Sequence, residues 1–457
     1  MTTYIITFFS LLLAFCPLQA VSQSPGSQVL EAGVGVVDVT GKDAVILDPL
    51  KVKAIVFRQG TEQLALVECD VTYVYSEILD PARSKASEVT GIPYRNITIS
   101  ATHTHMDAAQ GDLESAIVAA VQLAQTDLKV VRLSSGVGQE FNVAHNRRYF
   151  MKDGSVKFNP MFLNPNIVRS AGPIDADLGF VLLKDKGGKP VASLSNYSLH
   201  ADIVKEYGAV YQNDGAGSPN AVSADYPYWL EEALRKDFGD DFHSIFFTGC
   251  CGNINHWDFS KPGPQSGHKT KSKQVGDALY SAINTILPEL REEIPSLAVM
   301  SRVVQVPLHG FTDEDLEWAT KVDDDQLSNK SEEPDERQQF LDQVMKTRIL
   351  WLNKQKQLGN TSIPLDVQVF RLSDQTVIVT LPGEMFVEHG LTIKNFSPFE
   401  NTLVVELSNN SEVAYVPTKL AYKQGGYEVV NSRLAPGGGE LLVQTAIELL
   451  HDIKEVH

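Results

Sequence analysis

Cysteine is scarce in this chain of 457 residues: there are four. One of them, Cys16, sits in an apolar N-terminal run. The others, Cys69, Cys250 and Cys251, form an odd set with an adjacent pair that cannot easily close an ordinary disulfide, so no disulfide framework holds the fold. They read as small buried hydrophobes. Basic residues are also in deficit, 39 Lys and Arg against 57 Asp and Glu, for a net charge of −18. That field repels phosphate backbones and anionic lipid headgroups and argues against a nucleic-acid partner. Past the N-terminus no apolar run reaches the roughly 18 to 20 residues of a spanning helix, so no transmembrane segment is expected. Internal repeats are missing too, as is any linker rich in Pro, Ser or Gly. One large domain is therefore expected over 21–457.

What is present begins with residues 1–20, MTTYIITFFSLLLAFCPLQA. The apolar stretch from Tyr4 to Phe15, then Pro17 and the small Ala20 ahead of a polar segment, reads as a secretory signal peptide. Export to a secreted or periplasmic location is the expectation.

Runs rich in Val, Ile and Leu recur at Ala54–Arg58, Leu64–Asp70, Asn96–Ala101, Val130–Ser134, Leu178–Leu183 and Ala192–Tyr197. They resume at Leu365–Leu372, Val377–Leu381, Thr402–Leu407 and Val413–Val416. Helical spacing appears over Leu113–Thr126, Pro227–Lys236, Val275–Glu289 and Leu441–His451. This alternation predicts an α/β fold, a layered and mainly buried mixed sheet flanked by helices. One stretch departs in composition: residues 312–356 are strongly charged, with Asp323, Asp324, Asp325, Glu332 and Glu333, and carry helical periodicity from Asp335 to Lys356. It reads as an exposed helical hairpin, a solvated surface excursion.

The sharpest chemical signal is the apolar run from Ile97 that ends in Thr102-His103-Thr104-His105. On a strand, positions two apart face one side, so both imidazoles are expected in one cleft at the strand end. Neutral imidazole is a common zinc ligand and titrates close to neutral pH. His200 ends another such run, with Asp202 two residues on. Glu384 follows the run Val377–Leu381 after Pro382-Gly383. Two histidines and a glutamate are a known set for catalytic zinc.

With THTH at Thr102–His105, NYSLH at Asn196–His200, SADYP at Ser223–Pro227, Gly252-Asn253, LPGE at Leu381–Glu384 and AYVPTKLAYKQGGYE at Ala414–Glu428, the chain resembles the catalytic domain of the neutral/alkaline, non-lysosomal ceramidases. These motifs occur in the family's order across most of the chain. The resemblance implies a zinc ion held by His103, His200, Glu384 and Tyr415, with His105, Arg147 and Tyr427 directed at the scissile group. It implies hydrolysis of an N-acyl amide bond, or of an ester, by metal-activated water. Arg147, Tyr427 or protonated His105 would stabilise the oxyanion. His105 would also pass a proton to the leaving group, or orient a neighbouring ligand. The partner it implies is a small-molecule or lipid acyl-amide substrate.

Two departures from the family matter. Setting the last residue of its GDVSPN-like stretch on Asn253 puts Cys251 where the family has a serine implicated in catalysis, so a thiol either acts in its stead or packs. The chain is also expected to lack the C-terminal β-sandwich that members often carry. Ceramide is then one substrate among several. A soluble acylated sugar or amino compound is an alternative, as is a non-catalytic binding protein that keeps the domain.

Overall fold

The computed structural model describes residues 29–108, 110–204, 220–263, 268–322 and 336–456. The expected signal peptide and the acidic runs at Asp323–Asp325 and Glu332-Glu333 lie outside them.

Strands buried on both faces build the centre. Val52, Ala54 and Val56 join one hydrophobic cluster while Ile55 and Phe57, pointing the other way, join another. This period of two is what strict pleating requires. The strands are β1 (Leu30–Asp38), β2 (Lys51–Gln59), β3 (Glu62–Cys69), β4 (Ile97–Ala101), β5 (Lys129–Gln139), β6 (Asp177–Asp185), β7 (Pro190–Tyr197) and β8 (His243–Thr248). They lie in the order β8-β7-β6-β5-β1-β2-β3-β4, with Arg291–Glu292 pairing on β5 as a ninth. Only β7 with β8 and β3 with β4 run parallel along that path. A second sheet, β9 (Pro295–Pro307), β10 (Ser362–Ser373), β11 (Thr376–Thr380) and β12 (Asn401–Val405), pairs in chain order, its last pair parallel.

The two sheets face each other. Val181, Leu183, Leu194, Ile245 and Phe247 of the large sheet share a core with Phe370, Leu372, Ile378, Leu403 and Val405 of the small one. Helices cover the outer faces. On the large sheet these are α1 (Ser76–Thr90) and α2 (Leu113–Thr126) over one half and α3 (Tyr226–Phe238) and α4 (His268–Ile286) over the other. On the small sheet they are α5 (Val387–Phe396) and α6 (Gly438–Lys454). The expected α/β layering is therefore present as four layers with two sheets at the centre. No helix among the described residues is long and apolar enough to cross a membrane.

Helix α2 spans the residues its periodicity predicts. It buries Leu113, Ala116, Ile117, Ala120, Val121 and Ala124, and Asp112 caps it by accepting the Ser115 amide at 3.1 Å. Strand β1 escaped the sequence reading because Gly33 and Gly35 dilute its pattern. They are there for α2: a Cβ on Gly33 would stand 2.1 Å from the Ala124 carbonyl oxygen, and one on Gly35 2.0 Å from that of Ala120.

The large sheet also curls until its two edges approach. Thr248 Oγ1 at the end of β8 donates to the Thr102 carbonyl past β4 at 3.0 Å, and Lys53 Nζ donates to the Ser244 carbonyl at 3.1 Å. Strands seven positions apart in the sheet order thus meet in space.

The charged excursion is a pair of mostly exposed helices, as its composition suggests, with one face turned inward. Its helices, Asp313–Lys321 and Glu336–Gln357, pack on each other and bury Ile349 and Leu352. Arg348 Nη1 donates to the Val429 carbonyl at 3.3 Å, Arg433 stacks 4.5 Å above Trp351, and the Phe340 ring lies 5.3 Å from that of Tyr427. The residues that make these contacts are the uncharged or singly charged ones hidden among the acids, so one face of the hairpin forms a wall of the candidate site.

Candidate metal centre

Where the edges meet, the loops after β4, β7, β8 and β11 converge. Strand β4 stops at Ala101, so His103 and His105 do not share a face through strand pleating. His103 instead takes left-handed backbone at φ 66°, a strained state for a residue with a Cβ. It is buried, whereas His105 is exposed. Their rings are 4.8 Å apart, and the His103 ring is 4.7 Å from that of His200. A ring nitrogen from each of His103, His105 and His200 lies within 4.8 Å of the others.

Glu384 closes the group. Its Oε2 is 3.2 Å from His200 Nε2 and 3.3 Å from His103 Nε2. Both imidazoles are fixed from behind. His103 Nδ1 donates to the Thr72 carbonyl at 2.9 Å and His200 Nδ1 to the Cys251 carbonyl at 2.8 Å. A ring whose Nδ1 carries the proton presents a lone pair at Nε2, the form in which imidazole binds metal. His103 Nε2 is buried and has no hydrogen bond of its own despite its closeness to Glu384. An orphaned, buried nitrogen lone pair beside a second imidazole and a carboxylate fits the donor chemistry of zinc.

Charge at the centre is shared unequally. Burial opposes ionisation of Glu384, but His103 and His200 outweigh it and hold the carboxyl well below its usual range. Burial and the Arg147 guanidinium lower the pKa of His200, keeping it neutral. Burial also works against protonation of His103, yet the Glu384 carboxylate prevails and raises its pKa.

Tyr415 is the direct register partner of Glu384 in the two-residue parallel bridge Glu384-Met385 with Tyr415-Val416. Its ring lies 5.3 Å below the Arg147 guanidinium and 5.2 Å from Tyr427. Burial and then Glu384 push its phenol well above the ordinary value, so it needs a nearby positive charge to ionise. Tyr427 is likewise raised, first by burial. All seven residues singled out in the sequence therefore lie within one cluster of contacts.

Arg147 is held at three points: Nε donates to Glu428 at 2.9 Å, Nη2 to the Gly252 carbonyl at 2.8 Å, and Nη1 faces His200 Nε2 at 3.4 Å. Glu428 also accepts from Arg148 Nη1 at 2.6 Å, so this fully buried carboxylate bridges the two adjacent arginines. The Gly252-Asn253 motif ties the loops together. A Cβ on Gly252 would stand 2.5 Å from the Glu384 carbonyl oxygen, Gly252 donates its amide to Met385 at 2.8 Å, and Asn253 Oδ1 accepts from Val387 at 2.9 Å.

Sequence reasoning missed three residues. The Tyr73 hydroxyl donates to Glu384 Oε1, and its signal is its place just past the end of β3, as the histidines follow their strands. Glu428 follows Tyr427 in GGYE, where two neighbouring arginines call for a buried counter-charge. Glu406, pushed up to about 8 chiefly by burial, stands behind Cys251.

Cys251 lies on the far side of His200 from the converging nitrogens. Its Sγ is 3.2 Å from His200 Nδ1 and donates to Glu406 Oε1 at 3.0 Å, and burial raises its thiol well above the ordinary value. Cys251 is therefore a protonated, buried thiol that backs His200.

A curled two-sheet core whose strand-end loops gather two histidines and a glutamate defines a layered α/β protein with a candidate metal centre where its sheet edges meet. Solved structures carry the particular match. The chain shares its fold with the crystal structure of neutral ceramidase from Pseudomonas aeruginosa, at a TM-score of 0.68 and 16% identity over 93% of this chain and 75% of that one. It aligns equally with a ceramidase complexed with C2, at a TM-score of 0.67 and 17% identity over the same shares. No protein-family model and no curated protein matches the chain.

Proposed function

We propose that the chain is an exported zinc-dependent hydrolase that cleaves an N-acyl amide bond of the ceramide type, with ester hydrolysis open to the same machinery. The observation that carries this reading is the convergence of two Nε2 lone pairs, each set by a backbone carbonyl behind its ring, on one oxygen of Glu384. The shared fold with neutral ceramidases supports it.

His103, His200, Glu384 and Tyr415 would hold the zinc, which supplies Lewis acidity for the substrate carbonyl and for an attacking water. The chain's own groups do the rest. Arg147, fixed by Glu428 and Gly252, and the Tyr427 hydroxyl are donors for the negative charge that develops on the carbonyl oxygen. His105, the exposed member of the trio, delivers a proton to the leaving amine. Phe158 at 4.9 Å and Phe340 at 5.3 Å flank the Tyr427 ring and give the site an aromatic wall suited to an apolar acyl chain.

Zinc analysis of the purified chain, followed by hydrolysis of fluorescent ceramide, N-acyl amino acids and acylated sugars with and without chelator, tests this. Stoichiometric zinc and chelator-sensitive release of the acyl group are expected. Bound zinc with no turnover on any substrate would mean a binding protein, and a chain that takes up no zinc would end the metal reading.

A further inference from the structure

The chain leaves β12 at Val405 and enters a buried segment, Glu406-Leu407-Ser408-Asn409, that ties together three of the strands whose ends build the metal centre. Glu406 donates its amide to the Thr248 carbonyl at the end of β8 at 3.0 Å. Leu407 and Ser408 donate theirs to the Gly383 carbonyl at 3.0 Å and the Leu381 carbonyl at 2.9 Å, on the turn that leads to Glu384. Asn409 donates its amide to the Ile99 carbonyl at 2.9 Å and accepts the Ile99 amide on its Oδ1 at 3.0 Å, so it pairs along β4 just ahead of His103. Two of these residues adopt left-handed backbone, Leu407 at φ 53° and Asn409 at φ 57°. Asparagine tolerates that state and leucine rarely enters it, so the path of the segment is imposed by its partners.

The side chain of Glu406 completes the tie. It is fully buried, its Oε2 accepts the Cys251 amide at 3.1 Å, and its Oε1 accepts the Cys251 thiol at 3.0 Å. Among the described residues no lysine or arginine forms an ion pair with it. A buried carboxyl without a cationic partner is costly to keep in a fold. Its place relative to His200 gives it a use. The Cys251 carbonyl accepts from His200 Nδ1 at 2.8 Å, and the Cys251 sulfur lies 3.2 Å from the same nitrogen. Cys251 thus presents its acceptor to His200 while both of its donors are held by Glu406.

We propose that Glu406 is a positioning residue of the metal centre: by gripping Cys251 it fixes the His200 ring with its Nε2 turned to Glu384, while Leu407, Ser408 and Asn409 hold the strand ends that carry Glu384 and His103. The donor set is then arranged before any ion arrives, and groups behind a ligand tune its affinity in this way. The inference rests on the metal reading of the site, but the state of the His200 ring is measurable without metal.

Two measurements on the full chain test it, neither of them an activity. In metal-free protein with isotope-labelled histidine, ring nitrogen shifts assigned by comparison with His200→Ala should show His200 protonated at Nδ1 and bare at Nε2 in wild type, and a mixture of tautomers in Glu406→Leu. Zinc affinity, read by competition with a chelator, should fall by about 10 to 100-fold in Glu406→Leu. The isosteric Glu406→Gln, which keeps one acceptor for Cys251 and covers the case in which the leucine variant does not fold, should shift the tautomers partway and lose about tenfold. A merely structural role would lower the melting temperature of both variants and leave the His200 shifts where they are. Unchanged His200 shifts in the variants that fold, or zinc affinities within about twofold of wild type, overturn the proposal. If wild type takes up no zinc, the metal reading fails and the ring shifts alone decide whether Glu406 positions His200.

Discussion

Glu384 and Tyr415 are paired in register, 31 positions apart in the chain and adjacent across a parallel bridge of two residues. The pairing puts a carboxylate and a phenol side by side at the end of the small sheet, opposite the histidines delivered by the large one. A cation between them lowers the cost of both the buried carboxylate and an ionised phenol.

Removing a member of the donor set should therefore remove the metal. His103→Ala, His200→Ala and Glu384→Gln should each weaken zinc binding by about a hundredfold or more, since even partners behind the ligands commonly matter by 10 to 100-fold. Metal content after dialysis against a zinc buffer measures this. Normal stoichiometry in all three variants would contradict the assignment.

Tyr427→Phe should separate binding from chemistry. The ring stays packed between Phe158 and Phe340, zinc content is retained, and kcat falls by about 10² to 10³ with little change in KM, the usual cost of losing one oxyanion donor. An unchanged kcat would remove the hydroxyl from the reaction.

Much of this was legible because each element carried its own signal. Helix α2 announced itself by periodicity, and β2, β3, β6, β7, β10 and β11 by apolar runs. His103, His200 and Glu384 stood just past the ends of such runs, whereas Arg147, Tyr415 and Tyr427 were marked only by the resemblance. What local pattern could not supply was the curl of the large sheet, which depends on contacts such as Thr248 to Thr102 between strands at opposite edges. Parity along a strand was likewise the wrong reason for His103 and His105 to meet, because β4 ends before them and a left-handed residue turns the chain. Glu406 was hidden inside a run that reads as strand, and its role exists only through Cys251.

Cys251 offers a contrast with a serine nucleophile. Its thiol is buried, held protonated, and bonded to Glu406 behind His200. Cys251→Ser should retain zinc and turnover within a few-fold, and the native protein should resist thiol alkylation at pH 7 because the thiolate is the reactive form. Rapid alkylation of this residue, identified by mass spectrometry and accompanied by loss of activity, would instead place it among the reacting groups.

Glu231, far from the chemistry, should set part of the acid limit of stability. Burial raises its pKa, but Lys53 Nζ at 3.0 Å and Lys51 Nζ at 3.4 Å outweigh that and bring it from 4.5 down to about 2. The folded value is depressed, so the unfolded chain binds the extra proton. The stability this pair contributes is fully present above about pH 4.5 and is lost as pH falls toward 2. Glu231→Gln leaves Lys53 buried without its partner and should lower the denaturation midpoint at pH 7, while flattening the decline between pH 4.5 and 2. Chemical denaturation of both proteins across that range decides it: parallel acid limbs would mean that the carboxylate is not coupled to the lysines in the folded state.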